Sequence, residues 1–410
     1  MIHRCRLCEN PLRHIFVDLG VSPLANSYLK ADQINQMEPF YPLRAYVCTQ
    51  CYLVQVPVFQ SAEVIFGDYA YFSSFSDSWL QHAGNYAASI IDRFSFDASS
   101  QVIEIASNDG YLLQYFAKRG IPVLGIEPAK NVAQAAQEAG IQTLVKFFGY
   151  QTAVQLAREQ YRADLLIGNN VLAHVPDLND FVSGMKVILK PHGIITLEFP
   201  HLMRLIAENQ FDTIYHEHFS YFSFITVHRL LAQHGLTIFD VEELTTHGGS
   251  LRIYARHAED GSGLSGAQVE TLLKREEEQG LRKLDPYLAF DQKVKSTKRS
   301  ILDFMNRAKD AGKTLVGYGA PAKGNTLLNY CGIRTDYMEY TVDRSPHKQG
   351  LFLPGTHIPI CHPDKIKETR PDYVVILPWN LKDEIMHQMA HIRQWQGEFV
   401  TLIPEVRIYS

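Results

Sequence analysis

The chain of 410 residues has no block of clustered Lys and Arg, and its formal net charge is −5. It therefore lacks the basic stripe with which proteins grip nucleic acid or anionic lipid, so neither partner is expected. It also lacks any run of about 18 apolar residues and any apolar stretch of signal-peptide length near Met1, so it reads as a cytoplasmic protein with no membrane span. Cysteine is scarce: six in so long a chain are too few for a disulfide scaffold. Missing too is a Gly-x-Gly-x-x-Gly turn, so the close pyrophosphate approach of a dinucleotide is not expected at the first strand-to-helix junction.

What is present divides the chain. Its length exceeds what one hydrophobic core sustains, and we read a zinc-binding region over 1–72, an α/β cofactor domain over 73–258 and a second α/β domain over 259–410. Four cysteines form two Cys-x-x-Cys pairs, Cys5 with Cys8 and Cys48 with Cys51. Such knuckles hold one tetrahedral zinc at about 2.3 Å per thiolate, and a closed Cys₄ site is structural rather than catalytic. An aromatic, serine-rich connector that includes Tyr71 follows, with packing as its default role.

Short apolar strands then alternate with helices, at 101–105, 121–127, 164–168 and 193–198. This predicts a mostly parallel, Rossmann-like sheet with helices on both faces. The charged stretch 267–308, with Lys274-Arg275-Glu276-Glu277-Glu278, reads as a solvated helix pair between domains whose charge run needs no function. A second alternation begins at Thr314, with strands at 338–342, 373–377 and 399–403.

The first strand ends in Glu104-Ile105-Ala106-Ser107-Asn108-Asp109-Gly110, where the backbone N–H groups of a helix start are free for a ligand. Glu127 ends the next strand, at about the 20-residue spacing that puts a carboxylate on ribose hydroxyls. An adenosyl group without phosphates suits this turn, which points to S-adenosylmethionine (SAM). Downstream, Tyr215-His216-Glu217-His218 looks like acid/base chemistry, with structural histidines or an incomplete metal pair as the alternatives. The turn at Gly317-Tyr318-Gly319-Ala320-Pro321-Ala322-Lys323 opens a helix whose N-terminus suits phosphate, unless it is only a connecting turn. Arg344 and Lys348 follow the next strand and can converge on the same pyrophosphate.

Taken together, the four cysteines, Glu104 to Gly110, Asn170 with His174, Glu217-His218-Phe219, His247-Gly248-Gly249 and Gly317 to Lys323 are highly specific in order and combination. Over its whole length the chain resembles the SAM-dependent sugar C-methyltransferases that act on nucleotide-linked 4-keto-deoxysugars. It departs at Ala106, where that family usually carries Gly. The resemblance implies methylation at carbon 3 of a dTDP-4-keto-6-deoxysugar, with SAM in the middle domain and the nucleotide in the last.

It also implies that Asn170 and His174 face the methyl group or the sugar, and that His247, Gly248, Tyr318, Lys323, Arg344 and Lys348 serve the substrate. Carbon–carbon bond formation requires removal of a proton alpha to the ketone and stabilisation of the enolate oxygen. His218, with a near-neutral pKa, is the expected base. Tyr215 shares that role or donates to the enolate, Glu217 is a further acid/base candidate, and Tyr71 closes the site. The alternatives are O-methylation of a small molecule and a zinc-ribbon nucleic-acid binder on a methyltransferase fold. The expected state is a monomer or weak homo-oligomer.

Overall fold

The computed structural model describes residues 3–66, 72–75, 77–261 and 266–410; Tyr71 lies outside the described residues. The first sheet begins with β1 (His14–Ser22) antiparallel to β2 (Tyr41–Val47), which pairs with the short β3 (Val54–Gln55). Each Cys-x-x-Cys turn flanks this sheet and is followed by a left-handed residue, Glu9 at φ 60° and Tyr52 at φ 60°. Their N–H groups return to the carbonyls of Cys5 and Cys48. The sheet is completed from far downstream, by Ser220–Tyr221 (β9) antiparallel to β3.

The central sheet holds β4 (Val102–Ile105), β5 (Val123–Ile126), β6 (Thr143–Leu144), β7 (Ala163–Asn169) and β8 (Leu189–Pro200), all parallel. An antiparallel pair, β10 (Leu236–Leu244) and β11 (Ser250–His257), extends it in the order β10-β11-β8-β7-β4-β5-β6. The chain reverses direction across the sheet between β4 and β7, which opens a crevice at the carboxyl ends of these strands.

The last sheet has the order β14-β13-β12-β15-β16-β17, from β12 (Leu315–Tyr318), β13 (Thr341–Val342), β14 (Ile360–Cys361), β15 (Tyr373–Ile376), β16 (Glu398–Thr401) and β17 (Arg407–Tyr409). Only β17 runs antiparallel. The strand expected from 338 shortens to two residues because Met338 lies in the preceding turn, fully buried.

The charged stretch corrects the expectation of a solvated pair. The helix Asp285–Asp310 buries Tyr287, Phe290, Val294, Ile301 and Met305, and Phe290 stacks on Phe16 of β1 with centroids 4.5 Å apart. One apolar cluster thereby runs from Phe16 through Leu205 and Phe290 to Leu328. In the helix Ala267–Glu278, Glu276 is fully buried. It accepts hydrogen bonds from His201 Nε2 (2.6 Å) and from the N–H groups of Phe224 (2.7 Å) and Ile225 (2.8 Å), which open the helix Phe224–Gln233. A carboxylate on these free N–H groups caps that helix and complements its dipole. Among the described residues no helix is long and apolar enough to cross a membrane.

Candidate active site

The four Sγ atoms of Cys5, Cys8, Cys48 and Cys51 lie within 4.8 Å of one another, with Cys5–Cys51 at 3.4 Å and Cys8–Cys48 at 3.5 Å. A tetrahedron with bonds of about 2.3 Å has edges of about 3.8 Å, so the set fits zinc. Gln55 Nε2 donates to Cys5 Sγ (3.2 Å), and Gln50 N–H to Cys48 Sγ (3.4 Å), the outer bonds that steady thiolates. Among the described residues this is the one cluster within metal reach. The metal reading of His216-Glu217-His218 therefore falls: the His216 ring bonds the Pro42 carbonyl and packs on Tyr41 and Phe59.

A cavity of about 420 Å³ occupies the crevice beyond β4 and β7 and extends to the C-terminal domain. In the turn that follows β4 beside this cavity, the backbone is left-handed at Ala106 (φ 56°), Asn108 (φ 50°) and Gly110 (φ 77°). Glu127 lines the cavity, and its two oxygens accept from the N–H groups of Asn108 and Ala129, each at 2.9 Å. These bonds orient the carboxylate although burial raises its pKa. Asn169 and Asn170 also line the cavity, and each carries a buried Oδ1 with no partner. Those acceptors, with the apolar wall of Ile126, Phe147, Phe148 and Phe181, fit a ligand with hydroxyl or ammonium donors and a flat apolar ring.

Glu104, Ser107, Asp109 and Gly110 stand behind this wall rather than on it. Glu104 is fully buried, and desolvation, then Glu127 and Asp109, push its carboxyl well above the usual range. Asp109 Oδ2 accepts from Ser74 N–H and Asn108 Oδ1 from Ser73 N–H, so the end of the connector is sewn to the turn.

Also lining the cavity are Tyr215, His218, His174, Asn170 and His247. His218 Nδ1 donates to the Thr213 carbonyl (3.1 Å), so Nε2 carries the lone pair, and the Tyr215 hydroxyl donates to it at 2.9 Å. The expectation of a near-neutral pKa for His218 is corrected. Enclosure, then the neighbouring His174, His247 and Lys323, drive it well below 6.5, so the ring is neutral. His174 Nδ1 donates to the Glu217 carbonyl (2.8 Å), its ring 4.7 Å from that of His218, and burial lowers its pKa to about 4. Asn170 Nδ2 donates to His247 Nε2 at 3.3 Å.

Glu217 is not on this wall. Its fully buried carboxyl accepts from Asn26 Nδ2 at 2.7 Å, and burial raises its pKa to about 7. The direct acid/base role expected of it is corrected: Tyr215 and His218 face the cavity, and the two residues between them do not.

From the C-terminal domain, Lys323 and Lys348 line the cavity. Lys323 Nζ donates to Asn380 Oδ1 (2.7 Å) and sits 4.6 Å over the Trp379 ring, while Lys348 Nζ donates to the Ala320 carbonyl (2.9 Å). Tyr318 and Arg344 are not brought in. Tyr318 is buried in β12 with its hydroxyl toward Gln388 (3.4 Å), and Arg344 is exposed, 4.0 Å from Asp77. Gly248 (φ 87°) serves packing, since a Cβ there would lie 2.4 Å from Trp379 Cη2.

Residues that sequence reasoning missed are Asn26, Trp79, Asn169 and Asn380, all on the cavity wall. Only Asn169 carried a signal, as the residue that ends β7 beside Asn170.

Three families match successive parts of the chain. Residues 5–66 match a zinc binding domain, residues 79–241 a methyltransferase domain, and residues 245–404 a C-methyltransferase C-terminal domain. The chain is 33% identical to C-methyltransferase NovU of Streptomyces niveus, over 100% of this chain and 97% of that relative. It is 29% identical over 96 residues to the ubiquinone biosynthesis O-methyltransferase of Bartonella tribocorum, which covers 23% of this chain and 39% of that one. Among solved structures, the magnesium protoporphyrin IX methyltransferase of Synechocystis PCC 6803 with bound SAM aligns over 47% of this chain and 88% of its own, at 15% identity and a TM-score of 0.34.

Proposed function

This chain belongs to the family of SAM-dependent C-methyltransferases with a zinc-binding domain, and from that premise we propose that it methylates carbon 3 of a dTDP-linked 4-keto-6-deoxysugar. Bound SAM supplies an electrophilic methyl carbon. Glu127 and Asn169 hold it at the cofactor end of the cavity, over the turn at Ala106 and Asn108. At the other end Lys323 and Lys348 take the diphosphate, as charges placed where an anion enters. The sugar ring then lies between them, against Tyr215, His174, Asn170 and His247.

The observation that carries this reading is the hydrogen-bonded Tyr215–His218 pair, which lines the same cavity as the turn at Ala106 and Asn108 and the two lysines. With Nδ1–H committed to Thr213, His218 presents only Nε2 as a base. The Tyr215 oxygen takes the proton from carbon 3 as its own proton passes to Nε2. The diphosphate offsets the charge of Lys323 and eases protonation of a ring that this lysine otherwise disfavours. His247 lines the chamber where the enolate oxygen develops; with Nε2 accepting from Asn170 it keeps Nδ1–H, the neutral imidazole donor that stabilises that oxygen.

Incubation with ¹³C-methyl SAM and a dTDP-4-keto-6-deoxyhexose tests the assignment. The expected product shows a methyl signal on a quaternary or methine carbon, far upfield of a methyl ether. A methyl ether, or no transfer to any nucleotide ketosugar, overturns it.

A further inference from the structure

The segment around Asn26 belongs to the N-terminal zinc-binding part of the chain, yet it is built into the C-terminal domain. Asn325 Nδ2 donates to the Ala25 carbonyl, the Tyr28 hydroxyl donates to the Ala320 carbonyl (2.6 Å), and Leu29 bridges to Phe352. This tethering presents Asn26 on the wall of the cavity that Lys348 and Tyr215 also line. From there its side-chain amide donates to the buried Glu217 carboxyl at 2.7 Å. Glu217 lies between the two partners of the acid/base pair in sequence, and its own carbonyl receives the Nδ1–H of His174.

We propose that Asn26 is a positioning residue of the active site: through Glu217 it fixes the Tyr215–His218 turn and the tautomer of His174. The zinc-binding part of the chain thus contributes to the chemistry as well as to folding. The groups that face Glu217 are Asn26 and Tyr28 from the N-terminal segment, Lys348 with Asp343 behind it from the C-terminal domain, and His174 against its carbonyl. Without the amide, a fully buried carboxyl loses its side-chain donor and keeps only the backbone N–H of Asn26, so the peptide that carries it is held less firmly. As an assignment to sugar methylation, this inference rests on the reading given above; the placement of His174 does not.

The test uses the zinc-loaded full chain. Asn26→Ala is expected to lower kcat about tenfold, the worth of one hydrogen bond to a buried carboxyl, with SAM affinity and zinc content unchanged. In a Glu217→Gln background the same change is expected to cost much less, because the two residues act as a unit. Asn26→Asp, of the same shape, places two carboxyls together. They share a proton on acidification, so its activity relative to the parent chain rises as pH falls.

Independently of any substrate, the imidazole ¹⁵N signals of His174 are expected to show one Nδ1–H tautomer in the parent chain and a tautomer mixture in Asn26→Ala. A variant with parental kcat, losses that multiply with Glu217→Gln, or unchanged His174 signals each overturn the proposal. If Asn26→Ala does not fold, Asn26→Asp takes its place: a pH dependence equal to that of the parent chain, or parental His174 signals at neutral pH, overturns the proposal equally. If the parent chain rejects every nucleotide ketosugar, the functional reading fails and the His174 signals still decide this one.

Discussion

His218 is enclosed and then ringed by His174, His247 and Lys323, so its protonated form is disfavoured even before a substrate arrives. On the proposed mechanism the reactive form is the neutral ring, and activity is lost only where that ring takes a proton in the free enzyme. The profile of kcat/KM is therefore expected to stay flat as pH falls through 6.5 and to drop only well below it; a midpoint at 6.5 would mean an unshielded ring. His218→Asn retains polarity but not basicity, and turnover is expected to fall by about 10²–10⁴-fold with SAM binding intact. In D₂O, with demethylated SAM bound, the parent chain is expected to wash deuterium into carbon 3 of the ketosugar. If His218→Asn does so equally fast, the base lies elsewhere. Ala106 bears on the cofactor side, since its φ of 56° costs a residue with a Cβ about 1 kcal/mol that glycine avoids. Ala106→Gly is expected to raise the denaturation midpoint and to bind SAM at least as tightly by calorimetry.

At the scale of elements, the cap formed by Glu276 makes the sharpest forecast. Glu276→Ala strands the donors of His201, Phe224 and Ile225 and is expected to destabilise the chain by about 3 kcal/mol in urea titration. The exposed neighbour change Glu277→Ala is expected to stay within about 0.5 kcal/mol. The two glutamates are indistinguishable in a run of charges, because what separates them is the helix start at Phe224, some 50 residues away. The same reasoning marks what else was legible. β4, β5 and β7 stood out as short apolar runs between helical patterns, and the cysteine pairs by their spacing. β9 has two residues and no pattern of its own, existing only because β3 offers an edge. Asn26, Trp379 and Asp212 likewise gain meaning from contacts across domains, as when Trp379 Nε1 donates to the buried Asp212 at 2.7 Å. No local pattern encodes such a bond.

Over the whole molecule, the zinc cluster and the chemistry are joined by one sheet. Gln55 touches Cys5 Sγ and pairs with Ser220, two residues beyond His218. Cys48→Ala is expected to abolish zinc retention on metal analysis, lower the melting temperature and reduce turnover, while SAM affinity persists because Glu127, the proposed cofactor contact, follows β5 of the central sheet. Retention of zinc in full would remove the cluster from its role. The pairing of β3 with β9 also sets a timetable for synthesis. The ribosome releases Gln55 roughly 165 residues before Ser220, an interval of about 10–30 s at ordinary rates of elongation. Throughout it the nascent sheet shows a bare edge that the chain has not yet made the means to cover.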